Sequence, residues 1–307
     1  MRLYTTAEKC MLLLFAPLGP EKPLSVVSFR NIKRSLEALG PGKEHPQAEL
    51  SKKELLRLGV NGKEATLILK RLGRERELER HLSELRRLGI VAVTRVSAEY
   101  PRKLRCTLGE QAPMLLYCKG NLSLLETECV SLVGSRQLRE PGRQFARQLG
   151  CVAAEENYTY VSGGAIGADS EGFDSAMASG GNAVLFLADS LKGRMRRLHA
   201  QLKTGRLLLV SEFGYDQSFS VQRAYSRNRL IHAMGQKVFV AQTDYAAGGT
   251  WNGVVENLKA GWSPVYMCAT ELSDMGTRGL LERGCYPVMP GELQNLRHLE
   301  PDQMSLF

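Results

Sequence analysis

The chain has 307 residues, 43% hydrophobic and 24% charged, enough apolar material for one large domain and a smaller one and too much for a disordered chain. Lys and Arg number 41 against 32 Asp and Glu, a formal charge of +9, which favours a polyanionic partner such as nucleic acid or an anionic membrane surface. Seven cysteines lie scattered with no CxxC pair and no Cys/His cluster, which argues against a zinc site or a disulfide framework and suits buried thiols in a reducing cytoplasm.

In chain order, Thr5-Thr6-Ala7-Glu8 is a capping box ahead of "CMLLLFAPL". That apolar run is far too short to span a bilayer and reads as the start of an amphipathic helix, not an export signal. Ser51-Lys52-Lys53-Glu54 and Asn61-Gly62-Lys63-Glu64 open two further helices, with "GPGKEHPQ" as a loop before them. "RLGRERELERHLSELRRLG", with Leu78, Leu82 and Leu85 at helical spacing, reads as a solvated helix laced with ion pairs and not as a DNA-reading helix. Residues 1–88 are therefore expected to form a small helical domain.

From residue 129 the pattern changes. Short apolar runs, "CVSLV", "YTYVS", "NAVLFLA", "LLLVS", "KVFVA" and "PVYM", alternate with helix-length amphipathic segments. This predicts an α/β fold, a parallel sheet covered on both faces. Ligands of such sheets bind at the carboxyl ends of the strands, so the residues after each run are the candidates.

After "CVSLV" stands Gly134-Ser135-Arg136, where the following helix could add backbone N–H groups to a Ser hydroxyl and an Arg fork around a phosphate. The full G-x-G-x-x-G is missing, which argues against a dinucleotide. After "YTYVS" stands Gly163-Gly164-Ala165-Ile166-Gly167-Ala168-Asp169. These glycines would let backbone approach a ligand closely, with Asp169 either a helix-start charge or a ligand contact. After "NAVLFLA", no acidic residue occurs between Asp189 and Glu212, while Lys192, Arg194, Arg196, Arg197, Lys203 and Arg206 do. A solvated helix face usually balances its signs, so this one points to phosphate. After "LLLVS" come Arg223, Arg227, Asn228 and Arg229, with Phe219 and Tyr225 suited equally to base stacking or to core packing. After "KVFVA" comes Gly248-Gly249-Thr250, another glycine-and-hydroxyl turn opening a helix. No catalytic set converges on this edge, so a binding protein is expected, not an enzyme, and no cofactor or metal is implied.

The residues also resemble a family. "GIVAVTRVSAEYPRKLRCTLGEQAPMLLYCKGN", "VSLVGSRQ", "YVSGGAIGAD", "LLLVSEFG", "RNRLIHAMG" and "GTRGLLERG" occur in the order of the bacterial DNA-processing protein A (DprA, or Smf) family. The resemblance implies a Rossmann-like doubly wound sheet over residues 89–290 after the small helical domain. It further implies cooperative binding of single-stranded DNA, a homodimer, and transfer of the strand to the recombinase RecA. Carried onto matching positions, the phosphate pocket comprises Gly134, Ser135, Arg136, Gly163, Gly164, Arg227, Asn228 and Arg229, with Gly249 and Thr250 a looser match. Gly172 and Phe173 stand where the family usually has Ala-His, and the run Lys192–Arg197 replaces its Tyr-Pro. No winged-helix segment is expected after residue 290. These departures favour DNA binding over a role in natural transformation and suit a specialised, mobile-element or defence-associated relative.

Residues 291–307 read as a tail ending Gln303-Met304-Ser305-Leu306-Phe307. It resembles the peptide by which bacterial replication and repair proteins dock on the DNA sliding clamp, with Gln303, Leu306 and Phe307 as anchors. The competing readings are a tail packed on its own domain, and, for the whole chain, a nucleotide phosphoribohydrolase or a sensor of a nucleotide ligand. The hydrolase reading is weakened by Glu256, which falls too far from Gly248-Gly249-Thr250 to complete its motif.

Overall fold

A computed structural model describes residues 2–19, 23–24, 51–57 and 59–299. The loop expected at "GPGKEHPQ" and the clamp-like peptide lie outside them. The chain divides into two compact units, Met1–Tyr100 with Gly109–Leu116, and Pro101–Leu108 with Tyr117–Phe307. The division falls later than the expected residue 88, because strand β1 (Val91–Thr94) belongs with the helices before it.

In the first unit the predicted helix starts form as read. α1 (Thr6–Phe15) is closed by the Thr5–Glu8 capping box. α2 (Lys52–Arg57) starts where the Glu54 carboxylate accepts from the Ser51 backbone N–H. α3 (Gly62–Leu72) is capped by Asn61, whose side chain accepts from Glu64 N–H. α4 (Glu75–Leu88) buries Leu78, Leu82 and Leu85 and ends at Gly89 in the left-handed region. The fully buried Arg71 donates from Nε to Leu13 O at 3.0 Å and from Nη2 to Ala16 O at 2.6 Å, which satisfies carbonyls at the end of α1.

The second unit is built on the sheet. All six predicted runs are strands: β3 (Cys129–Val133), β4 (Thr159–Ser162), β5 (Asn182–Phe186), β6 (Leu207–Ser211), β7 (Lys237–Val240) and β8 (Val265–Cys268). Two strands of this unit were not among the runs. β2 (Leu115–Gly120), which follows the short helix α5 (Arg102–Leu108), pairs antiparallel with β6, and β9 (Tyr286–Val288) is three residues long and carries Pro287, which suits an edge. Within this unit the order is β2-β6-β5-β4-β3-β7-β8-β9, mixed and mostly parallel.

From β3 the chain steps outward through α6 (Glu140–Glu155), β4, α7 (Ala168–Ala178) and β5 to β6. The short α8 (Leu191–Arg197) and α9 (His199–Lys203) join β5 to β6. It then returns through α10 (Val221–Met234) to β7 on the other side of β3, and continues through α11 (Gly248–Ala260) to β8 and α12 (Met275–Leu281) to β9. Right-handed crossovers in opposite directions put α6 and α7 on one face and α10 and α11 on the other. Neighbouring residues of β3 bear this out: Leu132 packs against Gly172 of α7, while Ser131 Oγ donates to Ile231 O of α10 at 2.6 Å. The strand order reverses between β3 and β7, and that switch point is where ligands of open α/β sheets bind. Beyond β9, Leu293 and Leu296 are buried in short 3₁₀ turns and Tyr266 Oη donates to Leu299 O. Of the residues expected as a tail, those as far as Leu299 pack on their own domain.

Between α10 and α11 lies His232, fully buried. Asn257 Oδ1 accepts from Ser263 N–H, so Asn257 Nδ2 donates to His232 Nδ1 at 3.2 Å and the ring proton sits on Nε2. Burial drives the His232 pKa down to about 3. The folded ring therefore stays neutral while the unfolded ring binds a proton below its ordinary value of 6.5. Stability from this group is complete above that value and drains away as pH falls towards 3. Between pH 7 and pH 5 the loss from His232 is expected to be about 2 kcal/mol. Urea unfolding at both pH values, for the chain and for His232→Gln, measures it: the variant should lose that much less on acidification.

Candidate nucleic-acid interface

At the switch point the carboxyl ends of β3, β4 and β7 and the start of α10 enclose a cavity of about 890 Å³. A smaller one of about 200 Å³ adjoins it, and both share Arg136, Ala165, Phe219 and Arg227 in their walls.

The turn after β3 is pinned from two sides. Ser135 N–H donates to Gln242 O at 2.9 Å, and Ser135 O accepts from Ala168 N–H at 3.2 Å. A Cβ on Gly134 would lie 2.5 Å from that of Ala168, so only glycine fits between the two. The helix expected to follow at once begins only at Glu140, after Arg139 as N-cap and with Pro141 in its first turn. Arg139 N–H is satisfied by Gln242 Oε1 at 2.8 Å instead of by a ligand. The phosphate-ready groups at this turn are thus its own side chains and loop amides, not a helix terminus.

Arg136 projects from the turn with its guanidinium 5.4 Å over the Phe219 ring. It makes no ion pair among the described residues. Phe219 and Tyr225 are 48% and 38% exposed, which settles the two readings of them against core packing. With Val221 and Ile166 they rim the cavities with apolar surface.

The glycine loop after β4 differs from expectation. The space above Gly163 is filled by Arg227: a Cβ there would stand 1.6 Å from Arg227 Nη1. The close approach is to the protein's own guanidinium and not to a ligand. Arg227 is 7% exposed and donates from Nη1 to Phe186 O at 2.6 Å, while its Nε has no partner. Burial lowers its pKa, offset in part by Asp169 and Asp189 and deepened by Arg194 and Arg136. Asp169 is neither a simple helix-start charge nor an open ligand contact. Its Oδ2 accepts from Gly163 N–H at 3.0 Å and Ala165 N–H at 3.2 Å, clipping the loop shut, and burial raises its pKa against the pull of Arg227.

The remaining predicted residues separate into two groups. Gly134, Ser135, Arg136, Arg227, Asn228, Gly249 and Thr250 line the larger cavity, and Arg136, Gly163, Arg194 and Arg227 the smaller. Asn228 Nδ2 donates to Gly249 O at 3.0 Å and so holds the glycine turn at the start of α11. Gly164, Lys192, Arg196, Arg197 and Arg229 line neither. Arg229 grips Glu212 through Nη2 at 2.6 Å, both side chains largely buried, and Lys192 Nζ pairs with Asp216 at 3.0 Å. The long stretch without acids is balanced in part through space: Asp189 Oδ2 takes Arg194 Nε at 3.0 Å and Arg197 Nη2 at 3.5 Å. Of that run Arg196 and Lys203 are exposed without an ion pair among the described residues. Gln303, Leu306 and Phe307 lie outside the described residues.

Gln242, Arg139 and Asp189 were missed as site residues. Gln242 follows the β7 run directly, so the strand-end rule reaches it, whereas nothing local marks Arg139, which pairs with Asp274 and Glu271 at the cavity wall.

Known proteins are similar to this chain in sequence and in fold. The profile of the DNA recombination-mediator protein A family matches residues 91–288. DNA processing protein DprA of Streptococcus pneumoniae is 30% identical over 140 residues, 45% of this chain and 49% of that protein. Protein Smf of Escherichia coli is 29% identical over 153 residues, 48% of this chain and 40% of its own. The matched region thus spans about half the length of these curated relatives, or less. The X-ray structure of the Streptococcus pneumoniae protein superposes with a TM-score of 0.72 at 22% identity, covering 98% of this chain and 99% of that one. The Helicobacter pylori DNA processing protein A, solved for its single-stranded DNA binding mode, gives 0.57 at 24% identity over 67% of this chain and 93% of its own. The profile match over residues 91–288, about two thirds of the chain, makes this chain a member of the DNA recombination-mediator protein A family.

Proposed function

We propose that the chain binds single-stranded DNA along this rim without catalysing a reaction on it. The observation that carries the reading is the Arg136–Phe219 pair. An arginine without an acidic partner among the described residues stands on an exposed aromatic ring at the junction of two cavities. Phosphate would pair with the guanidinium, and an unstacked base would lie on Phe219 or Tyr225. A duplex hides its base faces, so the exposed rings favour a single strand.

Transfer of the strand to the recombinase RecA and a homodimeric state rest on the family resemblance. Recruitment to the sliding clamp rests on Gln303, Leu306 and Phe307. A nucleotide ligand is the second reading, favoured by the larger cavity, whose volume suits a nucleoside phosphate.

Anisotropy with an oligonucleotide across a salt series tests the first reading. Affinity should fall steeply with salt, and Arg136→Ala should weaken binding to all sequences alike while flattening the log–log slope by about 0.7 per phosphate lost. Phe219→Ala should cost about 1–3 kcal/mol if one base stacks there. A salt-independent affinity rules out the phosphate grip. Thermal shift with nucleotides and assay of AMP for released adenine test the ligand and hydrolase readings. Removing residues 303–307 should abolish retention on immobilised clamp and leave the oligonucleotide affinity as it was. Retention of the shortened chain counts against the peptide.

A further inference from the structure

The smaller cavity has an unusual charge balance. Its wall carries three guanidiniums, those of Arg136, Arg194 and Arg227, and one carboxylate, Asp189. Asp189 and Arg194 are each about a fifth exposed, at 22% and 20%, so the carboxylate faces the space where an anion would sit. Beneath the wall the buried Asp169 counters Arg227. A phosphodiester carries one negative charge, whereas a phosphomonoester carries nearly two at neutral pH.

Resting on the proposed single-strand reading, we infer that Asp189 is the specificity-determining residue of this cavity. It sets the charge so that the cavity accepts an internal phosphodiester of a strand and disfavours strand-end phosphates and free nucleoside phosphates. The physical basis is like-charge repulsion. A fixed carboxylate beside the anion acts twice as strongly on a dianion as on a monoanion at the same place, and a partly exposed site screens it only in part. The same carboxylate orients Arg194 through Nε at 3.0 Å, leaving the two terminal nitrogens of that fork for phosphate. Tight pairing of Arg194 is therefore compatible with binding, while the added negative charge filters which anions bind.

Asp189→Asn removes the charge and keeps an oxygen to accept from Arg194 Nε–H. The measurement uses the full chain at neutral pH, with an oligothymidylate carrying either a 5′-hydroxyl or a 5′-phosphate, and with AMP as competitor. The unaltered chain should not distinguish the two oligonucleotides, and AMP should compete weakly. Asp189→Asn should tighten the strand about threefold and AMP about tenfold, the larger gain falling to the dianion. Asp174→Asn makes the same change in net charge on the exposed face of α7 and should leave the ratio of the two affinities where it was. Unfolding midpoints of both variants confirm that the fold survives.

Asp189→Asn that weakens binding, or that changes strand and AMP by the same factor, overturns the inference. So does an unaltered chain that prefers the 5′-phosphorylated strand. If the unaltered chain binds no strand at all, the proposed function falls. AMP affinity then still shows whether the Asp189 carboxylate repels a phosphomonoester, and an Asp189→Asn chain that binds AMP no tighter than the unaltered one overturns that repulsion.

Discussion

A parallel sheet whose strands are apolar on both sides must be covered on both sides, and that requirement governs the second unit. β3, β4, β6 and β8 are buried along their whole length. With helices over both faces, polar chemistry is confined to the strand ends. Of those ends, only where the chain departs in opposite directions from β3 and β7 do the covering helices part. The cavities, the Arg136 turn and the start of α11 are consequences of that parting.

Electrostatically the rim is not a uniform basic trough. A chain with a formal charge of +9 still supplies acids to most of its site arginines: Glu212 to Arg229, Asp189 to Arg194 and Arg197, Asp274 to Arg139. Pairs as buried as Arg229–Glu212 are held by geometry, and a mobile anion gains little by displacing a carboxylate already in place. Net charge then draws a polyanion in from a distance, while close contact depends on the few cations that are unpaired or only partly satisfied.

Much of this was legible in the sequence. Continuous apolar runs specify buried parallel strands, and all six runs form them. The caps at Thr5, Ser51 and Asn61 mark helix starts because the required atoms lie within one turn. The rule that ligands gather at strand ends led to Gly134, Arg136, Asn228 and Gly249, which do converge. What could not be read was pairing through space. Nothing near Arg229 in the sequence shows that Glu212 reaches it, and the acid-free stretch after Asp189 looked unbalanced because its counter-charges come from Asp189 itself and from Asp216. Glycine density after β4 was likewise ambiguous, since closeness to a ligand and closeness to a buried side chain leave the same residues.

The contact between Gly163 and Arg227 bears on how the family can diverge. With the guanidinium occupying the place of a side chain at Gly163, any larger residue there evicts Arg227 from beneath both cavities and leaves Asp169 buried without its cation. Conversely, a shorter residue at 227 opens a void that a side chain at 163 could fill. In this chain the two positions are thus coupled, and a paired exchange is the route that keeps the space beneath both cavities filled.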